Sequence, residues 1–113
     1  MQEPHFLAGY GGATRIYPII GDPIAQVKSP VTMTTELRRR GVDAIIVPVH
    51  VAPADVDIVV AGFARMRNVD GFIATVPHKF AAFHCCRTSH ARAATLGAAN
   101  MARRNADGSW HGD

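Results

Sequence analysis

The feature that most constrains the fold of this chain is a regular alternation of short, β-prone apolar runs with segments that carry helix signals. The apolar runs lie at residues 15–20, 44–51, 70–76 and 98–103. Strands that alternate with helices of about ten or more residues are typical of βαβ units. The sequence therefore predicts an α/β fold, with βαβ units around a mostly parallel sheet and helices on both faces.

Local signals place the first helix and one edge of the sheet. Ser29 is a suitable N-cap, Pro30 suits the first helical position, and Gly41 can end the helix in a left-handed conformation. Pro48 lies within the run at 44–51 and has no backbone N–H to donate to a neighbouring strand. We therefore expect this strand to lie at an edge of the sheet.

The second helix is expected to open at Pro53 and to stop near Arg67. Its apolar residues recur at three- and four-residue spacing, which predicts one buried stripe: Val56, Val59, Val60, Phe63 and Met66. Two shorter helical stretches are predicted at 79–87 and 89–96, after a break at Pro77.

Length and composition bound the class of protein. With 113 residues, 48% hydrophobic and 19% charged, the chain can form one globular domain but not a second full one. No run approaches the roughly 18 apolar residues of a membrane span, and no signal peptide is evident. Cys85 and Cys86 are adjacent and cannot form an ordinary disulfide with each other. We expect a cytoplasmic protein with no membrane partner.

The charge pattern argues against two other classes of protein. A net charge of +3 with 7% aromatic residues lacks the basic face and stacking residues of a nucleic-acid binder, so an arginine-mediated nucleic-acid adaptor is disfavoured. The arginines are better explained as solvated cations near helix C-termini. The six histidines are scattered, and no metal site is predicted.

The N-terminal residues 1–13 are expected to be an irregular lead-in before the domain at 14–113. Residues 9–13, Gly-Tyr-Gly-Gly-Ala, superficially match a dinucleotide-binding loop. Such a loop must follow a strand and open a helix, whereas here no strand precedes it and a strand follows. No cofactor-binding residue is therefore predicted within the chain.

Function in such a sheet is expected at loops that follow the strand ends. Three loops, at 21–30, 75–79 and 97–100, could bring together two hydroxyls, an amide and an ammonium: Ser29, Thr75, Asn100 and Lys79. These groups suit an anionic or polyhydroxylated small molecule, and a lysine can also exchange a proton with it.

Each of these side chains also has a structural explanation. Ser29 can simply cap a helix, Thr75 can be a β-branched strand residue, Asn100 a turn residue and Lys79 a solvated cation. Spacing alone does not decide between the two sets of roles.

Several segments, in order and interval, resemble one enzyme family. They are Gly21-Asp22-Pro23-Ile24, Ser29-Pro30, Thr75-Val76-Pro77-His78-Lys79, Gly97-Ala98-Ala99-Asn100 and Asp107-Gly108 leading to Gly112. Over about residues 15–113 the chain resembles the substrate-binding domain of the shikimate dehydrogenase family. The Pro-His-Lys segment after a strand is the most specific part.

The resemblance implies an N-terminal domain that holds a cyclohexene carboxylate and a C-terminal Rossmann domain, absent from this chain, that carries NADP or NAD. The complete protein would reversibly oxidise a ring alcohol on a shikimate- or quinate-like hydroxy acid. Lys79 would be the catalytic general acid/base, Thr75 and Asn100 would bind ring hydroxyls, and Ser29 would contact the carboxylate. The aspartate that partners the lysine would lie just beyond Asp113, so the chain alone is expected to be inactive.

The chain departs from the family pattern at polar positions. Val27 replaces a serine and Ile73 an asparagine, while Met33-Thr34 and Met101 also differ. Lys28 could compensate at the carboxylate or point into water. A less polar pocket is expected, for a relative of shikimate or quinate or for a hydroxy acid with fewer hydroxyls.

Two further possibilities stay open at this point. One alternative to an enzyme is a non-catalytic module of the same fold that binds a carboxylate. The sheet edge near Pro48 could also support a homodimer.

Overall fold

The computed structural model describes residues 9–113. In chain order its elements are β1 (Arg15–Gly21), α1 (Ser29–Arg39), β2 (Ala44–His50), a 3₁₀ turn (Pro53–Asp55), α2 (Val56–Phe63), β3 (Gly71–Ala74), α3 (Lys79–His84), β4 (Thr88–Ser89), α4 (Ala91–Leu96), β5 (Met101–Arg104) and β6 (Trp110–Gly112).

The strands form one six-stranded sheet in the order β2-β1-β3-β5-β6-β4. The pairs β1–β2, β1–β3 and β4–β6 are parallel, while β5 runs antiparallel to both β3 and β6. Parallel pairs outnumber antiparallel ones, so the predicted α/β fold with a mostly parallel sheet is confirmed. Because β5 runs antiparallel to β3, the start of β5 lies beside the end of β3, and the loop before β5 meets the loop after β3.

Strand β2 lies at the edge of the sheet, as Pro48 predicts. The N–H of Val51 donates to the carbonyl of Gly21 on β1 at 3.1 Å. Because backbone groups alternate in direction along a strand, the N–H groups of the even-numbered residues of β2 point away from β1, toward the open side of the sheet. Three outward positions offer no free donor: Ala44 donates to Val42, Ile46 donates to the Thr34 hydroxyl at 2.9 Å, and Pro48 has no N–H.

The helices cover both faces of the sheet. One face forms the core with α2 and α3, through Ile20, Phe72, Ala74, Ala102 and Trp110 of the strands and Val56, Val60, Phe63 and Ala82 of the helices. On the other face, Met33 and Leu37 of α1 meet Tyr17, Ile73 and Met101 around a groove of about 530 Å³. This arrangement confirms the predicted layers.

The second helix is shorter than its periodicity predicts. It ends at Phe63 rather than near Arg67, and Met66 is 48% exposed instead of buried in the stripe. The guanidinium of Arg104, on β5, donates to the carbonyls of Phe63, Ala64 and Met66. The carbonyls at the end of this helix therefore accept hydrogen bonds from a residue distant in the sequence, which the local apolar pattern does not indicate.

Other boundaries also need correction. The N-cap position of α1 is Lys28 rather than Ser29, and no side-chain cap is formed there. Ser29 is the first helical residue, so Pro30 comes second. The strand predicted at 70–76 is limited to Gly71–Ala74, and the strand predicted at 98–103 is Met101–Arg104.

The segments after β3 differ most from prediction. Helix α3 ends at His84 instead of Arg87, and Ser89 belongs to strand β4 rather than to a helix. Strands β4 and β6 were not predicted. Both are short, at two and three residues. Strand β4 pairs with β6 and β6 also pairs with β5, so their positions depend on pairing rather than on a local apolar pattern.

The predicted lead-in at 1–13 is only partly covered, since residues 1–8 lie outside the described part of the chain. Residues 9–13 contain a turn before β1. Within residues 9–113, no helix is long and apolar enough to span a membrane.

Candidate functional site

The carboxyl ends of β1 and β3 meet at one edge of the sheet because the two strands are parallel. The N–H of Thr75 donates to the carbonyl of Ile20 at 2.9 Å, and the N–H of Asp22 donates to the carbonyl of Val76 at 3.2 Å. These bonds join the first two predicted loops through their backbones, so the position of one fixes the position of the other.

Gly21 brings these two loops into close contact. A Cβ atom at this position would lie 2.6 Å from the Cγ2 atom of Thr75 and 3.0 Å from Cδ1 of Ile24. Carbon atoms in proteins do not approach this closely, so only glycine allows Thr75 to occupy its place. The glycine thus helps to position a predicted site residue.

The third loop reaches the same edge because β5 is antiparallel to β3. The N–H of Ala74 donates to the carbonyl of Asn100 at 2.8 Å, and the N–H of Asn100 donates to the carbonyl of Asp113 at 2.7 Å. The Asn100 residue is exposed, and within residues 9–113 its side-chain amide makes no hydrogen bond. Its amide is available to a ligand.

Lys79 is the first residue of α3 and is partly buried. Its carbonyl accepts a hydrogen bond from the N–H of Ala99 at 2.9 Å, which ties the start of α3 to the residue before Asn100. Across the described part of the chain, the Lys79 ammonium has neither a hydrogen-bond nor an ion-pair partner. Thr75, Lys79 and Asn100 therefore belong to one backbone-linked cluster.

Ser29 and Lys28 lie at the start of α1, on the far side of the first loop. Ser29 is partly buried, while Lys28 is exposed and lines a cavity of about 560 Å³ with Val27 and Thr34. No hydrogen bond between described residues joins either of them to Thr75, Lys79 or Asn100. The structure thus brings together three of the five predicted residues by hydrogen bonds.

Two histidines near this edge lie outside the set of predicted site residues. His50 Nε2 lies 2.6 Å from the Asp22 carboxylate, and this hydrogen bond links the end of β2 to the residue that follows β1. The register of β1 and β2 places Gly21 opposite His50, so Asp22 follows directly beside the histidine. The sequence indicates this contact only once the pairing of the two strands is known. The second is His78, which is 1% exposed.

The turn at residues 9–14 does not have the form of a dinucleotide-binding loop, and the described residues contain no metal-binding cluster. The Gly11 N–H is bonded to the Thr14 hydroxyl at 3.0 Å and the Gly11 carbonyl accepts the Thr14 N–H, so this turn is closed on itself rather than open to a phosphate. Among residues 9–113, no group of three or more His, Cys, Asp or Glu side chains could hold a metal ion.

The two cysteines are free thiols that pack against the core just after α3. Burial, together with the nearby Asp57 carboxylate, raises the pKa of the Cys85 thiol to about 12. Burial also raises the pKa of Cys86. Both thiols therefore resist ionisation and lack the character of a catalytic nucleophile.

Comparison with known proteins identifies the family. The family model described as the shikimate dehydrogenase substrate binding domain matches residues 19–102. The chain belongs to this family. A shikimate dehydrogenase (NADP(+)) from Anaeromyxobacter sp. (strain K) is 40% identical over 101 residues, which is 89% of this chain and 36% of that protein.

Solved structures of shikimate dehydrogenases share the fold. The Mycobacterium tuberculosis enzyme superposes with a TM-score of 0.80 at 30% identity, covering 88% of this chain and 37% of that one. A shikimate 5-dehydrogenase from Listeria monocytogenes, in complex with shikimate and NAD, gives a TM-score of 0.83 at 25% identity over 90% of this chain and 35% of that one. The chain spans about a third of the length of the relatives that it matches.

Proposed function

We propose that this chain is the substrate-binding domain of an NAD(P)-dependent oxidoreductase that interconverts a ring alcohol and a ketone on a shikimate- or quinate-like hydroxy acid. Lys79 is the general acid/base, Thr75 and Asn100 bind ring hydroxyls, Ser29 contacts the carboxylate, and Lys28 adds positive charge beside it. Membership of the shikimate dehydrogenase substrate-binding family supports this proposal.

The observation that carries the proposal is the Lys79 ammonium, which has no hydrogen-bond or ion-pair partner among residues 9–113 and belongs to a linked polar cluster. Surface lysines are common, but this one is partly buried at the sheet edge where β1 and β3 end. Hydrogen bonds through Ala99 and Ala74 connect it to the backbone of Asn100 and Thr75. A ligand hydroxyl placed among these three side chains would have both a proton acceptor and hydrogen-bond partners.

The proton chemistry follows from the lysine. When the ring alcohol becomes a ketone, the neutral amine of Lys79 takes up the hydroxyl proton, and in the reverse direction the ammonium returns it. NADP or NAD, which we propose is held by a C-terminal Rossmann domain outside this chain, would supply or accept the hydride. General acid–base catalysis of this kind contributes roughly 10²- to 10⁴-fold to a rate.

We further propose a less polar pocket, which would take a relative of shikimate or quinate or a hydroxy acid with fewer hydroxyls. Ile73 and Met101 are register partners on β3 and β5, so the two side chains project from the same face of the sheet. Val27 lies beside Lys28 in the cavity next to α1. Apolar side chains at these positions cannot replace the hydrogen bonds of polar ones, and a bond to a charged group is worth about 1.5 to 3 kcal/mol.

The remaining organisation is also proposed. The domain would span 14–113, and the complete enzyme would be cytoplasmic, with no nucleic-acid or membrane partner. In a homodimer, the outer edge of β2 would contribute side-chain packing, because three of its outward backbone positions offer no free donor.

Replacing Lys79 tests the catalytic proposal in the complete protein that contains this domain. Lys79→Met should lower kcat by about 10²- to 10⁴-fold with a small change in KM, because the proton acceptor is lost while the ring contacts remain. Arg87→Met, which removes an exposed cation beyond α3, is the control and should keep wild-type kcat. Equal activity of the Lys79 variant and wild type would refute the role.

A binding titration separates this proposal from a non-catalytic module. NMR titration of the chain with shikimate, quinate and analogues with fewer hydroxyls should shift resonances of residues 21–30, 75–79 and 97–100. Binding without turnover by the complete protein would favour the module instead. Preferred turnover of shikimate itself over all analogues would contradict the less polar substrate.

A further inference from the structure

His78 is a buried histidine for which the proposed chemistry has no use. It is 1% exposed, and among residues 9–113 only two other polar side chains, Thr14 and Thr34, are buried as fully as the core. Removing a polar ring from water is unfavourable unless the ring makes hydrogen bonds in the interior. The contacts of its ring therefore indicate what the residue does.

The ring has a defined partner. Nε2 of His78 lies 2.5 Å from the carbonyl oxygen of Val51, which follows β2. A carbonyl can only accept a hydrogen bond, so Nε2 must carry the proton. The N–H of Val51 in turn donates to the carbonyl of Gly21 at the end of β1. The ring thus connects the loop after β3 to the ends of the two preceding strands.

The backbone of His78 connects the same ring to the site. Its N–H donates to the carbonyl of Thr75 at 2.8 Å, and its carbonyl accepts the N–H of Ala82 at 2.8 Å, which closes the first turn of α3. His78 occupies the N-cap position, and Lys79 is the next residue. A rotation of the His78 backbone would therefore displace both Thr75 and Lys79.

We propose that His78 is a positioning residue whose hydrogen bond to the Val51 carbonyl fixes the Thr75–Lys79 loop and so aims the Lys79 ammonium at the substrate. The catalytic part of this inference rests on the proposed function, whereas the positioning of the loop does not. Misplacement of a reacting group by about 1 Å can cost on the order of a hundredfold in rate, so a single interior hydrogen bond can matter to turnover.

Three variants separate positioning from simple stability. His78→Phe keeps an aromatic ring of similar size but removes the donor and leaves the Val51 carbonyl unpaired. His78→Gln returns an N–H at about the reach of Nε2. Val56→Ala removes apolar contacts from the same core, where Val56 is 1% exposed, without altering the hydrogen bond.

Kinetics of the complete protein measure the catalytic effect. His78→Phe should lower kcat by about tenfold and change KM by less than about twofold, because the substrate contacts persist while the proton acceptor is misplaced. His78→Gln should recover most of that kcat, and Val56→Ala should stay near wild type. Unchanged kcat in His78→Phe, or an equal loss in Val56→Ala, would overturn the catalytic part.

NMR of the chain measures the positioning without any activity. The ¹⁵N spectrum of the wild-type ring should show a proton on Nε2, and a ring with no proton there would overturn the inference even if His78→Phe failed to fold. Amide shifts of Thr75 and Lys79 should move in His78→Phe and return in His78→Gln. If the complete wild-type protein turned over no hydroxy acid, the proposed function would fail, while these spectra would still decide the role of His78.

Discussion

A hydrogen atom at position 21 determines how closely two loops of the site can approach. The absence of a Cβ at Gly21 leaves room for the Thr75 methyl, because a Cβ there would lie only 2.6 Å from that methyl. Gly21→Ala should therefore lower the free energy of unfolding by about 1 to 3 kcal/mol, the usual cost of overpacking, and weaken substrate binding by moving Thr75. Urea unfolding and a ligand titration measure the two effects.

Gly62→Ala provides the matched control for that substitution. A Cβ at Gly62, within α2, would meet no atom within 4 Å. Alanine is the better helix former by about 0.8 to 1 kcal/mol, so this variant should be at least as stable as wild type. If both alanine variants behaved alike, close contact at Gly21 would not be the reason for its glycine.

The Cys85 thiol should be unreactive in the folded chain. Its pKa is raised to about 12 by burial and by Asp57, so at pH 8 far less thiolate is present than for an ordinary thiol with a pKa of about 8.5. In a Cys86→Ser background, a thiol-specific reagent should react at least about a hundredfold more slowly with the native chain than with the unfolded one.

The sign of the accompanying pH dependence follows from linkage. A group whose pKa is raised by folding stabilises the native state fully below its unfolded pKa, and this stability is lost as the pH rises. The free energy of unfolding should therefore fall between about pH 8.5 and 12, and less steeply in a Cys85→Ser variant. Equal slopes in both proteins would contradict the assignment.

At the level of the elements, a hydroxyl from α1 satisfies one outward N–H of the edge strand β2. Thr34 is buried and accepts the outward N–H of Ile46 at 2.9 Å. Thr34→Val keeps the shape but leaves that donor unpaired, which should lower the free energy of unfolding by about 1 to 3 kcal/mol. Thr34→Ser should restore most of the loss, and amide exchange of Ile46 should be fast only in the valine variant.

Element positions were predictable where the local pattern and the tertiary structure agree. The apolar run before Gly21 became β1, Pro48 correctly marked an edge strand, and Gly41 and Gly97 both adopt the left-handed conformation after a helix. At Pro48 and at the two glycines the residue type restricts the backbone directly, through a missing N–H or a missing Cβ. Such restrictions act within a few residues, so a single sequence reveals them.

The elements that sequence analysis missed depend on contacts between distant residues. Strand β6 is defined by pairing with β5 and β4, and the early end of α2 by the Arg104 side chain. The site shows the same division. Lys79, Thr75 and Asn100 were predicted from the loops that carry them, whereas the hydrogen bond of His78 joins it to Val51, 27 residues earlier. A pattern read from a short stretch of sequence cannot predict contacts between residues that lie far apart in the chain.

For the whole molecule, the Arg104 side chain joins several parts of the structure. Its guanidinium donates to carbonyls at the end of α2 and in the segment that leads to β3, including Phe63 at 3.2 Å and Val69 at 2.6 Å. It also lies 4.6 Å from the centre of the Trp110 ring, in a cation–π arrangement. One residue of β5 thereby connects a helix end, a loop and β6.

Arg104→Met should lower the free energy of unfolding by about 2 to 4 kcal/mol, because several carbonyls lose a charged donor and methionine can replace only the apolar stem. The side chain of the neighbouring Arg103 is exposed and makes no hydrogen bond within residues 9–113, so Arg103→Met should change stability by less than about 0.5 kcal/mol. Urea denaturation of both variants measures the difference. Equal losses would mean that net charge, rather than the network around Arg104, stabilises this part of the fold.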